Sequence, residues 1–405
     1  MHKANSQPVR AVRARRLLCM AGEQAARGTA ALTKPLTLLD NGMMLLAEGR
    51  IVAVGNARTM RLPVGCPVED LGDVTLIPAV VNAHCHLQLS HLAGKTQWGQ
   101  GFVPWLRSLI PQVRQPIAPD VLAQAMQAMC ACGTAHVGDY TGIGIAAVRE
   151  AAFAAGIGIT AFCEWFGFAA PFIDDERPFP PVCRAYCAQA QPPRAQEQWQ
   201  AVPCGHALYS TDGAVLQAAH AYCAAHKAVF ALHVAESPEE EQALAQGTGA
   251  LVELYTPVVL PPQWRAPAQP PVPYAAALGL LSAHTLAIHG VHCNSADRAV
   301  LAASGASLCL CPRSNAALAV GQAPVREWMA SSVLLCLGTD GLTSNTDLNV
   351  QREAVALLGQ GIEPAALLRM LTVNGAAALR QPVMPLVAGA AARYAVLEPE
   401  LAAAV

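Results

Sequence analysis

From residue 78 to about 380, short apolar runs alternate with alanine-rich stretches of helical spacing. Runs of this kind, bounded by turn residues, read as buried strands, and the stretches between them read as helices. The pattern predicts strands at 76–82, 134–138, 158–164, 202–207, 229–234, 286–290, 306–310 and 333–338. Strands that each lead into a helix form the βα repeat of an α/β parallel barrel. The flanking sequence is different in character, with strands and turns from residue 8 to about 76. Leu17-Leu18-Cys19-Met20 reads as an opening strand, and Leu36–Leu39 and Met43–Leu46 flank Asp40-Asn41-Gly42, a hairpin signal. Glu48-Gly49-Arg50 is a second turn, before the strand Ile51–Gly55. The tail after Leu386 is short and β-like, and is expected to return to the N-terminal strands. The predicted division is a small β-sandwich domain of residues 1–76 plus 383–405 around a (β/α)8 TIM-type barrel of residues 77–382. Two Pro-rich stretches, 170–204 and 256–273, interrupt the alternation and are expected to be surface excursions.

Composition narrows the function. Only 13% of the 405 residues are charged, the formal net charge is −2, and no basic stripe runs along the chain. That excludes nucleic acid as a partner and points to a small-molecule substrate. The fourteen cysteines lack a spaced framework and read as buried, reduced small side chains. A mean hydropathy of +0.32 raises the membrane question, most sharply at Tyr274–Val291. Gly279, Ser282, His284, Thr285 and His289 interrupt that window, so a helix followed by a buried strand is the better reading. The N-terminal arginines 10, 13, 15 and 16 precede an apolar piece too short for a signal-peptide core, so a cytoplasmic location without membrane attachment is expected. Self-association is left open.

The chemistry lies in side chains at predicted strand ends. The apolar run Val74–Val81 leads into Asn82-Ala83-His84-Cys85-His86-Leu87. Alternate residues of a strand point the same way, so His84 and His86 can reach one ion. His233 ends the apolar run Ala228–Leu232, and Glu236 follows three residues later, placed to move protons at a barrel rim. Taken alone, Glu236 could instead be the first of several solvated acids before a helix. Asp340 ends the apolar run Val333–Leu337, where an unpaired carboxylate would be costly. Its alternative role is a helix N-cap, for which Ser344 or Asn345 would serve as well. His289 and His206 follow predicted strands and belong to the same rim, with a structural histidine as the alternative for each. His292, His91 and His284 lack comparable context. Arg313 follows the seventh predicted strand, where a guanidinium suits an anionic substrate group or else braces a loop.

Together these residues resemble the amidohydrolase superfamily, in the branch of cytosine, guanine, adenosine-type and S-adenosylhomocysteine deaminases and triazine hydrolases. Glu48–Gly55 and Thr372-Val373-Asn374-Gly375-Ala376 extend the similarity over nearly the whole chain. The resemblance implies that His84, His86, His233 and Asp340 hold one divalent ion, zinc or iron. It makes Glu236 the proton shuttle and His289 the histidine that contacts the attacking water. A carbamylated lysine marks binuclear members after strand four; here that segment offers His206, which favours a mononuclear site. The implied reaction is hydrolytic deamination, with Asp340 as base and Glu236 as acid. His84–Leu92, His233–Glu240 and Cys311–Asn315 are most similar to aminodeoxyfutalosine deaminases of the alternative menaquinone pathway, whose benzoate-bearing adenine nucleoside would give Arg313 an anionic partner. Deamination of S-adenosylhomocysteine, methylthioadenosine or adenosine is the alternative, then a triazine-type aminohydrolase. A noncatalytic nucleoside-binding barrel is the alternative from another class. Ala79, Gly341 and Ala392-Arg393 depart from the family's usual glycine, serine and Ala-Asp, and none is a ligand.

Overall fold

Eight parallel strands carry the centre of the molecule: β6 (Val80–Cys85), β7 (Thr134–Thr141), β8 (Gly158–Trp165), β9 (Trp199–Gly205), β10 (Phe230–Val234), β11 (Thr285–His289), β12 (Ser307–Leu310) and β13 (Leu334–Leu337). The computed structural model describes residues 9–168, 178–187, 194, 197–256 and 258–405. Hydrogen bonds link β6 to β9 as one four-stranded sheet and β10 to β13 as another. Parallel bridges join the halves at two seams, Cys85 with Asp340 and Ala207 with His233. At the first seam the Asp340 amide donates to the His84 carbonyl at 3.1 Å, and Asn82 bonds both the hydroxyl and the amide of Thr339. At the second, the His233 amide donates to the His206 carbonyl at 3.1 Å. The ring therefore closes on itself, and helices such as Ile145–Ala155, Gly213–Ala225, Ser295–Ser304 and Val350–Gly359 cover its outside. The residues of these strands are almost all buried, which explains why they read as unbroken apolar runs.

The termini contribute β1 (Arg10–Leu18), β2 (Leu38–Ala47), β3 (Arg50–Asn56), β4 (Val68–Asp70), β5 (Thr75–Pro78) and β14 (Tyr394–Val396) to one six-stranded sheet. The tail thus returns as expected, by β14 pairing antiparallel to β5, and then ends in the helix Pro399–Ala404. Two sequence expectations need correction. Asp40-Asn41-Gly42 is not a hairpin: β2 runs through it unbroken, pairing antiparallel with β1 from Leu38 opposite Leu18 to Leu46 opposite Arg10. Asn41 takes a φ of +48° within the strand. Gly42 is required by packing, because a Cβ there would lie 2.1 Å from Leu17 Cγ. The Asn-Gly pair marks a close approach rather than a turn; the true turn is at Glu48-Gly49. Second, the apolar run before the histidine pair is two strands. β5 belongs to the terminal sheet and β6 opens the barrel, with the Ala79 amide between them donating to the Arg393 carbonyl. One run serves both because both sheets bury it.

The window at Tyr274–Val291 contains the helix Pro271–Ala277 and the buried β11. Among the described residues no helix is long and apolar enough to cross a membrane. All fourteen cysteines are free, most of them buried. Within the excursions expected at 170–204 and 256–273, residues 170–177, 188–193, 195, 196 and 257 lie outside the described residues.

Candidate metal centre and active site

His84, His86, His233, His289, Glu236 and Asp340 converge at the C-terminal mouth of the barrel. His84 and His86 flank the end of β6, and His233 lies on β10. Glu236 follows β10, His289 ends β11 and Asp340 follows β13. Ala235, His289 and Asp340 all take left-handed backbone conformations, with φ of 52°, 74° and 57°. Each such residue costs about 1–3 kcal/mol, and strain of this kind collects where side chains must be aimed.

The spacing fits a single ion. Asp340 Oδ1 lies 3.4 Å from His84 Nε2 and 3.5 Å from His86 Nε2, and the Nε2 atoms of His86 and His233 are 3.3 Å apart. Two donors each about 2.1 Å from one ion at the tetrahedral angle stand about 3.4 Å apart. Both ring nitrogens of the fully buried His84 lack a hydrogen-bond partner among the described residues. Burial pushes the His84 pKa down to about 4 despite the Asp340 carboxylate, and lowers His86 and His233 as well. Neutral imidazoles with lone pairs facing one another, beside a carboxylate oxygen, are a donor set that only a cation satisfies.

The partners behind these groups set their orientation. His233 Nδ1 donates to the His206 carbonyl at 2.8 Å, which leaves Nε2 as the inward lone pair. Ser314 and Ser344 both donate to Asp340 Oδ2, at 2.6 and 2.7 Å, so Oδ1 is the atom turned toward the histidines. Burial alone would raise the Asp340 pKa, but His84, His86 and His289 outweigh it and hold the carboxylate ionised. His289 Nδ1 bonds Asn315 Oδ1 at 3.0 Å, and its Nε2 lies 3.5 Å from Glu236 Oε1. Burial, then the charges of Asp340, Glu240 and Glu239, push the Glu236 pKa well above the usual carboxyl range. Burial thus favours the protonated form of Glu236, while the surrounding imidazoles favour the ionised form of Asp340. Asp340 is no helix cap; the following helix, Val350–Gly359, is capped by Asn349.

Of the remaining candidates, His206 stays at the site, its ring 4.8 Å from that of His233 and its Nδ1 bonded to Ser210 Oγ at 2.6 Å. Arg313 is engaged elsewhere. Its guanidinium is bidentate on Asp347, at 2.9 Å for each bond, and 3.5 Å from the buried Glu353. The loop-bracing alternative describes this geometry, and the side chain has no free charge for a substrate anion. His292 is outside the site, bonded to the Val320 carbonyl. The roles of Ser314, Ser344, Asn315 and Asn82 were missed by sequence reasoning; Ser314 and Asn315 lie in the helix Pro312–Leu318 and Ser344 in the turn after Asp340, where a signal could have been sought in the short polar residues beside each candidate.

The Amidohydrolase family profile matches residues 75–397. The chain belongs to the amidohydrolase family. Among similar proteins is the 5-methylthioadenosine/S-adenosylhomocysteine deaminase of Nitratidesulfovibrio vulgaris, 29% identical over 367 residues, which are 85% of this chain and 76% of that protein. Among solved structures, Helicobacter pylori aminofutalosine deaminase in complex with methylthio-coformycin superposes with a TM-score of 0.78 at 17% identity, covering 97% of this chain and 94% of that one. An adenosine deaminase from Xanthomonas campestris with bound zinc gives a TM-score of 0.72 at 22% identity, covering 95% and 83%. These neighbours share the barrel fold.

Proposed function

We propose that this protein is a metal-dependent hydrolase that deaminates a 6-aminopurine nucleoside. One observation carries the reading. A buried Glu236, whose pKa burial pushes well above the usual carboxyl range, faces His289 beside the cluster of His84, His86 and Asp340, and pure binding needs no such acid. A divalent ion, zinc or iron, held by His84, His86, His233 and Asp340 would supply the Lewis acidity that makes water a nucleophile near neutral pH. Asp340, pinned through Oδ2, takes the proton of the attacking water on Oδ1. Glu236 gives its proton to the ring nitrogen next to the attacked carbon. His289, aimed by Asn315, faces the oxygen where charge develops. Water adds to the ring carbon, Asp340 passes the proton it took to the amino group, the C–N bond breaks and ammonia leaves, and the remaining hydroxyl proton returns to Glu236 as the 6-oxo product forms. With Nδ1 bonded to Ser210, His206 turns Nε2 toward the substrate.

Within that class the site motifs favour 6-amino-6-deoxyfutalosine, an intermediate of menaquinone biosynthesis, and the fold neighbour with that activity supports it. Since Arg313 is paired with Asp347, the benzoate of that substrate would meet another group. The second reading, S-adenosylhomocysteine or 5-methylthioadenosine, is favoured by relatives similar over most of the chain. We read residues 1–76 plus 383–405 as the small domain. Its cluster of Val12, Ala14, Leu17, Met44, Leu46, Ile51, Leu76 and Leu386 supports a sheet curled upon itself as a sandwich.

Ammonia release from a panel of these nucleosides, with Glu236→Gln alongside, tests the proposal. The variant should retain metal and lose about 10²–10⁴-fold in kcat. Full turnover by the variant, or none by the wild type on any panel member, would overturn it.

A further inference from the structure

One wall of the barrel mouth holds polar atoms that neither the donor set nor the proton-handling groups use. Among the described residues Tyr140 OH on β7, Glu164 Oε1 on β8 and Tyr209 OH after β9 are buried without a hydrogen-bond partner. The Tyr140 ring packs against the rings of His84, His86 and His233 at 5.2, 5.3 and 4.5 Å, and against Phe162 at 5.4 Å. Phe162 thus faces the barrel interior. Glu164, two residues on, faces the same way and lies one step nearer the mouth. In the register with β9, Glu164 lies opposite Cys204, two residues before His206.

The strand end is held in place beside His206. The Trp165 carbonyl accepts from the His206 amide and the Thr211 hydroxyl, both at 3.0 Å, and the Gly167 amide donates to the Ser210 carbonyl at 2.6 Å. Phe166, half exposed, packs on His206 at 5.2 Å and on Tyr255 at 6.1 Å. The wall is therefore aromatic, with one carboxyl set into it.

A buried carboxyl oxygen without a hydrogen-bond partner is costly, and Glu164 Oε1, in a side chain that is only partly buried, can be met by a group entering from the mouth. Burial pushes the Glu164 pKa up to about 8. Near neutral pH it thus offers a donor and an acceptor together. Glu236 and Asp340 already carry both proton tasks, so a third catalytic carboxyl has no step to serve.

We propose that Glu164, with the unpartnered Tyr209 phenol that packs against His206, is a specificity-determining residue that hydrogen-bonds neighbouring hydroxyls on the sugar of the substrate. This inference rests on the nucleoside reading above. A vicinal diol supplies two donors and two acceptors at a spacing a carboxyl can match, and the aromatic wall covers the apolar face of the sugar.

The test compares wild type, Glu164→Leu, Glu164→Gln and Tyr209→Phe on ribonucleosides turned over by the wild type and on their 2′,3′-dideoxy counterparts. Glu164→Leu should lose about 10- to 100-fold in kcat/KM on ribonucleosides, chiefly through KM. It should leave dideoxy substrates nearly unchanged. Its melting temperature should hold or rise, because the unpaired carboxyl is gone. Glu164→Gln, which keeps a donor and an acceptor, should recover part of the loss, and Tyr209→Phe should show a smaller loss of the same kind. Equal losses on both substrate types, or none on either, would overturn the inference while leaving the proposed activity standing. A wild type inactive on every nucleoside would overturn both.

Discussion

Replacing Arg313 with alanine separates a brace from a substrate ligand. In the wild type the guanidinium makes two 2.9 Å bonds to Asp347 and approaches Glu353 Oε1 at 3.5 Å. Asp347 would keep Arg352 at 2.8 Å, so its loss is modest, roughly 0.5–1 kcal/mol for a partly exposed pair. Glu353 is fully buried and would retain only the Arg313 amide at 2.9 Å and Asn345 Nδ2 at 2.8 Å. Once Glu353 is ionised, above about pH 8, stripping the cation from this buried carboxylate costs about 3–5 kcal/mol. At about 2.1 cal/mol/K per residue, a chain of 405 residues has an unfolding entropy near 0.85 kcal/mol/K, so melting above about pH 8 should fall by about 4–7 °C.

The pH dependence of this penalty has a definite sign. Burial raises the Glu353 pKa from 4.5 to about 8. A protonated Glu353 needs no cation, so the penalty should shrink at acid pH and grow as pH rises through about 8. Glu353 also holds Asn345, next to Ser344, which orients Asp340. The activity loss should therefore appear in kcat and be similar for carboxylated and uncharged nucleosides. Thermal melts at several pH values and steady-state kinetics on both substrate types provide the readout. Unchanged melting together with a KM increase confined to the carboxylated nucleoside would refute the bracing argument.

Other perturbations follow from the same geometry. Loading metal-free protein with zinc should raise its melting temperature, by about 4 kcal/mol of stability at a free metal concentration a thousandfold above Kd. A double substitution of His84 and His233 by alanine should abolish that response. Gly338→Ala places a Cβ 2.7 Å from His84 Cβ and 2.8 Å from its amide nitrogen, so it should lower both stability and bound metal, read by melting and elemental analysis. At the buried pair of Arg149 and Glu197, joined at 2.7 Å, the Arg149 guanidinium holds Glu197 down to about 2 from 4.5. That stability is present above 4.5 and lost as pH falls toward 2, so acid melts of Glu197→Gln should be flatter across this window.

The sequence by itself determined the barrel, because parallel strands buried on both faces must be apolar along their length, and eight such runs stand out. It also singled out the candidate donors, since a histidine or aspartate closing an apolar run is rare without a purpose. Tertiary structure decided what depended on partners distant in the chain. Gly42 looked like a turn until Leu17 was seen against it, and the run at 74–85 looked like one strand until its halves joined different sheets. Arg313 could equally bind an anion or brace a loop, and only the fold shows Asp347 and Glu353 as its partners. Glu164 carried no sequence signal at all, because an unpaired carboxyl becomes conspicuous only when burial has removed the water that would otherwise satisfy it.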